Sequence, residues 1–93
     1  MQTIEIKSLN AHSFEVRIQT GNSTTHFVTV TPEYAEKLTG QQVPTEALIS
    51  KSFEFLLARE SNTSILRSFD LSVIARYFPE YEREITGMLQ ARP

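Results

Sequence analysis

Cysteine is absent from this chain of 93 residues, and glycine occurs only three times. Without cysteine there are no disulfides, no zinc–thiolate sites and no thiol nucleophile. Gly21, Gly40 and Gly87 stand too far apart to form a phosphate-binding loop. The chain also lacks an apolar run long enough for a signal peptide or a membrane span. These absences predict a soluble, cytoplasmic protein that has no membrane partner.

Basic residues do not outnumber acidic residues. The formal net charge is −2, and none of the segments 1–31, 32–62 and 63–93 carries more bases than acids. A protein that binds the phosphate backbone usually shows a basic stripe or patch, so general affinity for nucleic acid is not favoured. A local nucleic-acid site remains the second hypothesis, because an exposed aromatic on a sheet stacks bases in some single-strand binders.

The residues that are present have an average globular balance, with 40% hydrophobic and 22% charged. Apolar and polar residues alternate three times in the first third of the chain, which predicts strands at about 3–8, 13–20 and 24–31. Capping, proline and glycine signals follow, together with apolar stripes at helical spacing. They predict helices at about 32–39, 45–60, 71–78 and 79–90.

The expected fold is α+β, with residues 1–93 as a single domain. A three-stranded antiparallel meander is followed by a helical half that packs on one sheet face. A three-residue loop, Gly21-Asn22-Ser23, pairs Val16 with Val28 and collects the apolar residues on one face, as does any bulge of the same parity. This register places Phe27 on the outer face and leaves an edge strand unpaired.

The segment SFDLSVIARYFPEYE, residues 68–82, allows two interpretations. The first is a corner where two helices pack around Pro79, with a solvated charged rim. The second is an exposed aromatic docking patch, because tyrosine and arginine are enriched in interface hot spots. With Phe27 on the sheet, the candidate interaction surface comprises Phe27, Phe69, Arg76 and Tyr77.

Nothing in the sequence assembles a catalytic or metal site. His12 lies in a turn-like segment, and His26 lies near the turn end of an apolar strand face without a second ligand at close spacing. Glu80, Glu82 and Glu84 resemble a carboxylate cluster, but only Glu80 and Glu84 share a helix face. We therefore predict no catalytic, cofactor-binding or metal-binding residues, and no cofactor.

The run SFEFLLARESNTSILRSFDLSVIARYFPEYE, residues 52–82, together with PEYAEKLTG, resembles a small group of bacterial proteins of about this length that have no established function. The resemblance implies a bacterial cytoplasmic protein with an accessory or regulatory role. It supplies no catalytic residues.

Three functions follow from these observations, in order of preference. The first is a non-enzymatic protein that acts through protein contacts, with another protein or as a homodimer, because an open sheet edge can pair with a further strand. The second is a nucleic-acid-binding module, which an exposed Phe27 flanked by Arg17 and Lys7 would favour. The third is a small enzyme, which would need a cleft that gathers His26 with Asp70 or Glu54.

Overall fold

The computed structural model describes residues 3–90, which form a four-stranded sheet and four α-helices. The α+β class is confirmed. Within these residues, no helix is both long enough and apolar enough to cross a bilayer. The strands are β1 (Thr3–Asn10), β2 (Ser13–Gln19), β3 (Thr24–Thr29) and β4 (Ser68–Asp70). The helices are α1 (Pro32–Thr39), α2 (Thr45–Leu57), α3 (Val73–Tyr77) and α4 (Tyr81–Gln90), with a 3-10 turn at Asn62–Ser64.

The strands lie in the order β1-β2-β3-β4. The first three are antiparallel, as predicted, but β4 joins β3 in parallel, so the prediction of three strands is wrong by one. Two backbone hydrogen bonds bracket the short β4. Phe27 N–H donates to the Arg67 carbonyl at 2.7 Å, and Leu71 N–H donates to the Thr29 carbonyl at 2.8 Å. This strand therefore depends on pairing with a residue range about forty positions away.

The β2–β3 register has the predicted parity, but its predicted pairing is wrong by two residues. Val16 lies opposite His26 instead of Val28. The observed pairs are centred on Gly21, whereas the predicted pairs are centred on Asn22. Within this turn the Thr20 hydroxyl accepts from the Asn22 N–H and donates to the Asn22 carbonyl, both at 3.0 Å. Since a shift of two keeps each side chain on its own face, Phe27 still lies on the outer face.

Helix α1 begins and ends as predicted. The Thr31 hydroxyl accepts a hydrogen bond from the Tyr34 N–H at 3.2 Å, and Pro32 follows at the first helical position. Gly40 ends the helix in the left-handed conformation, with φ of 62°, and its N–H donates to the Glu36 carbonyl.

Several other strands and helices are shorter than predicted. Strand β3 stops at Thr29, and helix α2 stops at Leu57 rather than at residue 60. Helix α3 begins at Val73 instead of residue 71, and Asp70 lies at the end of β4 before it. Its carboxylate accepts from the Ser72 N–H at 3.1 Å and from the Ser72 hydroxyl at 2.6 Å, which closes a turn before α3. The last helix starts at Tyr81, two residues after Pro79.

The hydrophobic core lies between the helices and one face of the sheet. Phe53 of α2 is fully buried, and its ring lies 5.6 Å from that of His26 and 6.1 Å from that of Phe69. Tyr81 of α4 is fully buried as well. Its hydroxyl donates to Ser52 Oγ at 2.6 Å, since Ser52 already donates to the Leu48 carbonyl. Burial raises the pKa of Tyr81, so this hydroxyl stays protonated.

Candidate protein-docking surface

An apolar depression of about 40 Å³ opens where the end of α2 meets β4 and α3, and we call it the corner depression. Its lining is apolar except for one carboxylate, that of Glu60. The lining residues are Leu56, Glu60, Ile65, Leu66, Phe69, Val73, Ile74, Tyr77 and Phe78.

Two large apolar side chains in this lining stay exposed to solvent. Tyr77 is 66% exposed and Leu66 is 46% exposed. Leu66 points outward because Ile65, its extended neighbour, points into the core, and successive residues of an extended segment face opposite ways. Contiguous exposed apolar surface on a small domain marks an interaction site more often than a scattered single residue does.

The walls of the depression are fixed by aromatic packing. The half-buried Phe69 lies against Phe53 of the core, and the ring of Phe78 meets that of Phe55 edge-on at 5.8 Å. The Arg59 guanidinium lies over the Phe55 ring at 3.6 Å. Rigid walls of this kind reduce the ordering cost that a binding surface pays on association.

The structure brings together only part of the predicted interaction surface. Phe69 and Tyr77 both line the corner depression, whereas Arg76 is exposed on α3 outside that lining. Phe27 is 42% exposed on the outer face of the sheet, away from the core-facing side of Phe69. Leu66 is a contributor that the sequence analysis missed. The available signal was the pair Ile65-Leu66 after a polar break, of which only one side chain can point inward.

On the outer sheet face, the surroundings of Phe27 differ from those of a sheet that stacks nucleic-acid bases. Phe27 lies directly opposite Glu15 on β2 and Ser68 on β4. Glu15 also forms an ion pair with Arg17 at 3.2 Å and stands opposite Lys7 on β1. The neighbour of the aromatic ring is therefore a carboxylate, and it already pairs with Arg17, an arrangement that does not favour phosphate binding.

His26 is 2% exposed, and both of its ring nitrogens have partners. Nδ1 lies 2.7 Å from the Leu66 carbonyl, which can only accept, so Nδ1 donates this hydrogen bond, and Nε2 shares a second hydrogen bond of 2.8 Å with the Thr24 hydroxyl. Asn62 donates to the same Thr24 oxygen at 2.9 Å and to the Asn22 carbonyl at 2.6 Å. This hydrogen-bond network holds residues 62–66, which lead into β4, against β3 and the turn before it.

The two carboxylates named as partners for a catalytic His26 are engaged elsewhere. Asp70 accepts from Ser72 and, at 3.0 Å, from the Thr29 hydroxyl. Glu54 forms an ion pair with Lys51 at 3.6 Å. Neither contacts the imidazole, so the geometry that would have favoured an enzyme is not formed by these three residues.

The acids in α4 and just before it have three partners on other helices or after them. Glu80 and Glu84 both contact Arg59, at 3.4 and 3.6 Å, which confirms that they share a face. Glu82 accepts from the Tyr34 hydroxyl at 2.8 Å and pairs with Lys37 at 3.0 Å. These two contacts lower the pKa of Glu82. Among residues 3–90, no three histidine, aspartate or glutamate side chains meet as a metal-binding group.

Comparison with known proteins identifies no relative: no family model matches the chain, and neither the curated proteins nor the solved structures give a significant match. The resemblance of residues 52–82 to a group of bacterial proteins therefore stays a prediction.

Proposed function

We propose that this chain is a small accessory or regulatory protein that docks a partner protein at the corner depression. The observation that carries the proposal is the exposure of Leu66 and Tyr77 beside an apolar cavity with fixed walls. A bacterial and cytoplasmic setting belongs to the same proposal and is supported by the resemblance of residues 52–82.

The size and chemistry of the depression define the partner group that fits. The depression is small and apolar, far below the size of a cofactor site, so an aliphatic side chain fits it better than a cofactor or a nucleobase does. Glu60 is the only charged residue in the lining, so a partner that carries a basic group beside that aliphatic side chain would be complementary. Tyr77 supplies a large, nearly rigid contact of the kind that dominates binding energy.

The test is an affinity capture from the source cells with three versions of the tagged protein. The docking variant carries Leu66→Ser and Tyr77→Ser, which change exposed side chains. The matched control carries Phe27→Ser, which removes an exposed aromatic from the other face of the sheet. Circular dichroism verifies that each variant is folded, and bound proteins are quantified by mass spectrometry with and without nuclease.

We expect a partner that wild type and Phe27→Ser retain in equal amounts and that the docking variant loses by about tenfold or more. Nuclease should not change this result. Equal retention by all three proteins would contradict the proposal. Partners that are lost on nuclease treatment and weakened by Phe27→Ser would instead support the nucleic-acid hypothesis.

A further inference from the structure

Strand β1 is an open edge with unusual length for its position. It has eight residues and stands at one end of the strand order, so one side of its backbone has no strand partner within residues 3–90. Ile4 and Ile6 point toward the core but are only half-buried, whereas Val16 and Ile18 on the neighbouring strand are fully buried. The core is therefore incompletely covered at this edge, and edges of this kind readily pair with another strand.

The outer face of β1 carries two opposite charges, on Glu5 and Lys7, which are both exposed. Neither takes part in an ion pair within the chain in the range that the structure describes. Glu5 accepts only from the neutral Gln19 amide, at 3.3 Å. Each charge is thus available to a partner strand.

We propose that β1 pairs antiparallel with β1 of a second copy of this chain, with Ile6 on the two-fold axis. In this register Glu5 of each copy lies opposite Lys7 of the other copy, which gives two cross-strand ion pairs. Ile6 meets Ile6 of the second copy on the core-facing side. The proposal does not depend on the corner depression, since it uses the opposite edge of the sheet.

The charge pattern selects this register from its neighbours. Centring the pair on Glu5 would set Glu5 against itself, and centring it on Lys7 would set Lys7 against itself. A slip by a single residue would place the isoleucines on the charged face, because side chains alternate along a strand. Of these registers, only the one centred on Ile6 joins unlike charges, and it sets Ile6 against Ile6 on the core-facing side.

The two-fold axis then runs perpendicular to the sheet, so both helical layers lie on the same face of one continuous eight-stranded sheet. The contact buries one strand edge and a few flanking side chains, which is smaller than a standard stable interface of roughly 1,600 Å². We therefore expect a reversible dimer with a dissociation constant in about the micromolar range.

Charge reversal on β1 tests the proposal, because two oppositely charged variants should restore association when they are mixed. Glu5→Lys creates two positive charges on each strand, and Lys7→Glu creates two negative charges. Each single variant should repel a copy of itself, whereas an equimolar mixture of the two variants should associate. Glu33→Lys on α1 makes the same charge change away from β1 and serves as the control.

Sedimentation equilibrium over roughly 1 to 300 µM measures the association. Wild type and the control should dimerise alike, each β1 variant alone should bind itself at least about tenfold more weakly, and the mixture should regain the wild-type affinity. A monomeric wild type throughout this range would overturn the proposal. Dimerisation of either single variant at the wild-type strength, or a mixture that stays monomeric, would overturn it as well. The docking variant Leu66→Ser/Tyr77→Ser should dimerise normally, which separates this result from that for the proposed function.

Discussion

Strands β1 and β4 form opposite edges of the sheet and are held in place by different means. Along its length, β1 is paired with β2, and its isoleucines cover the rim of the core. Only three residues of β4 are paired, and it depends on side chains: Phe69 packs on Phe53, and Asp70 accepts from Thr29 and Ser72. A long edge presents its backbone to a partner strand, whereas a short edge presents mainly the side chains around it.

This difference separates the two binding roles that we propose. The β1 edge suits pairing with an identical strand, since charge and apolar residues alternate along it. The β4 edge suits a foreign side chain, because it borders the corner depression. The same difference predicts how each edge responds to mutation: β4 should fail when an anchor is removed, and β1 should tolerate the loss of one side chain.

The largest effect should come from His26→Ala. This change removes a buried ring from beside Phe53 and leaves the Leu66 carbonyl without its donor, so we expect a loss of about 3 kcal/mol in the free energy of unfolding. Urea denaturation measures it. The matched control, His12→Ala, changes an exposed histidine and should stay within about 0.5 kcal/mol of wild type. Similar values for the two variants would show that the His26 network does not anchor β4.

Truncation at each edge compares the two edges directly. Phe69→Ala should cost about 2 kcal/mol, because a half-buried ring leaves the surface of Phe53. Ile4→Ala on β1 should cost about 1 kcal/mol, since its side chain is smaller, also half-buried, and the backbone pairing with β2 remains. Both values come from denaturant titrations at a protein concentration that keeps the chain monomeric. A greater loss for Ile4→Ala would reverse our ranking of the edges.

Asp70→Ala should cost about 1 kcal/mol at neutral pH, a modest value because the carboxylate is partly exposed. Partial burial acts to raise the pKa of Asp70, but the hydrogen bonds from Ser72 and Thr29 outweigh it and hold the pKa below its ordinary value of 3.8. Because the pKa of Asp70 is lower in the folded state, its carboxylate stabilises the fold at pH values above its pKa in the unfolded chain. This contribution is lost as the pH falls through the pKa of the folded state.

The difference in stability between wild type and Asp70→Ala should therefore become smaller as the pH falls from about 7 to about 3. Thermal denaturation at both values measures it. A difference that stays constant across this range would mean that the charge of Asp70 contributes nothing to the turn before α3.

The smallest effect should come from Phe27→Ser on the outer face. This ring is exposed and paired with Glu15 and Ser68, so we expect a change within about 0.5 kcal/mol in the free energy of unfolding. A loss above about 2 kcal/mol would indicate that the outer face is covered in the native state, contrary to our description.

The elements with strong local signals could be predicted from the sequence. Helix α1 has a hydroxyl cap, a proline and a left-handed glycine within a few residues, and its bounds are correct. The parity of the β2–β3 pairing followed from the alternation of apolar residues. The exact pairing did not, because it is centred on Gly21 instead of Asn22, in a turn that also hydrogen-bonds to Asn62, forty positions away in the chain.

Strand β4 could not be recognised in the same way. Its three residues are too few to show a period, and it exists because β3 offers an edge and His26 holds the Leu66 carbonyl. The corner depression has the same origin. Phe69 and Tyr77 were predicted as part of the interaction surface, but Leu66 joins them only through the path of the chain after the 3-10 turn.

Native mass spectrometry of the complex from source cells tests most directly whether the two edges bind separately. Three proteins are compared: wild type, the docking variant Leu66→Ser/Tyr77→Ser and the β1 variant Lys7→Glu. For wild type we predict a complex of two copies of this chain with the bound partner protein. The docking variant should give two copies of the chain without the partner, and the β1 variant should give one copy of the chain with the partner. Loss of both contacts in either variant, or no change in either, would contradict the account.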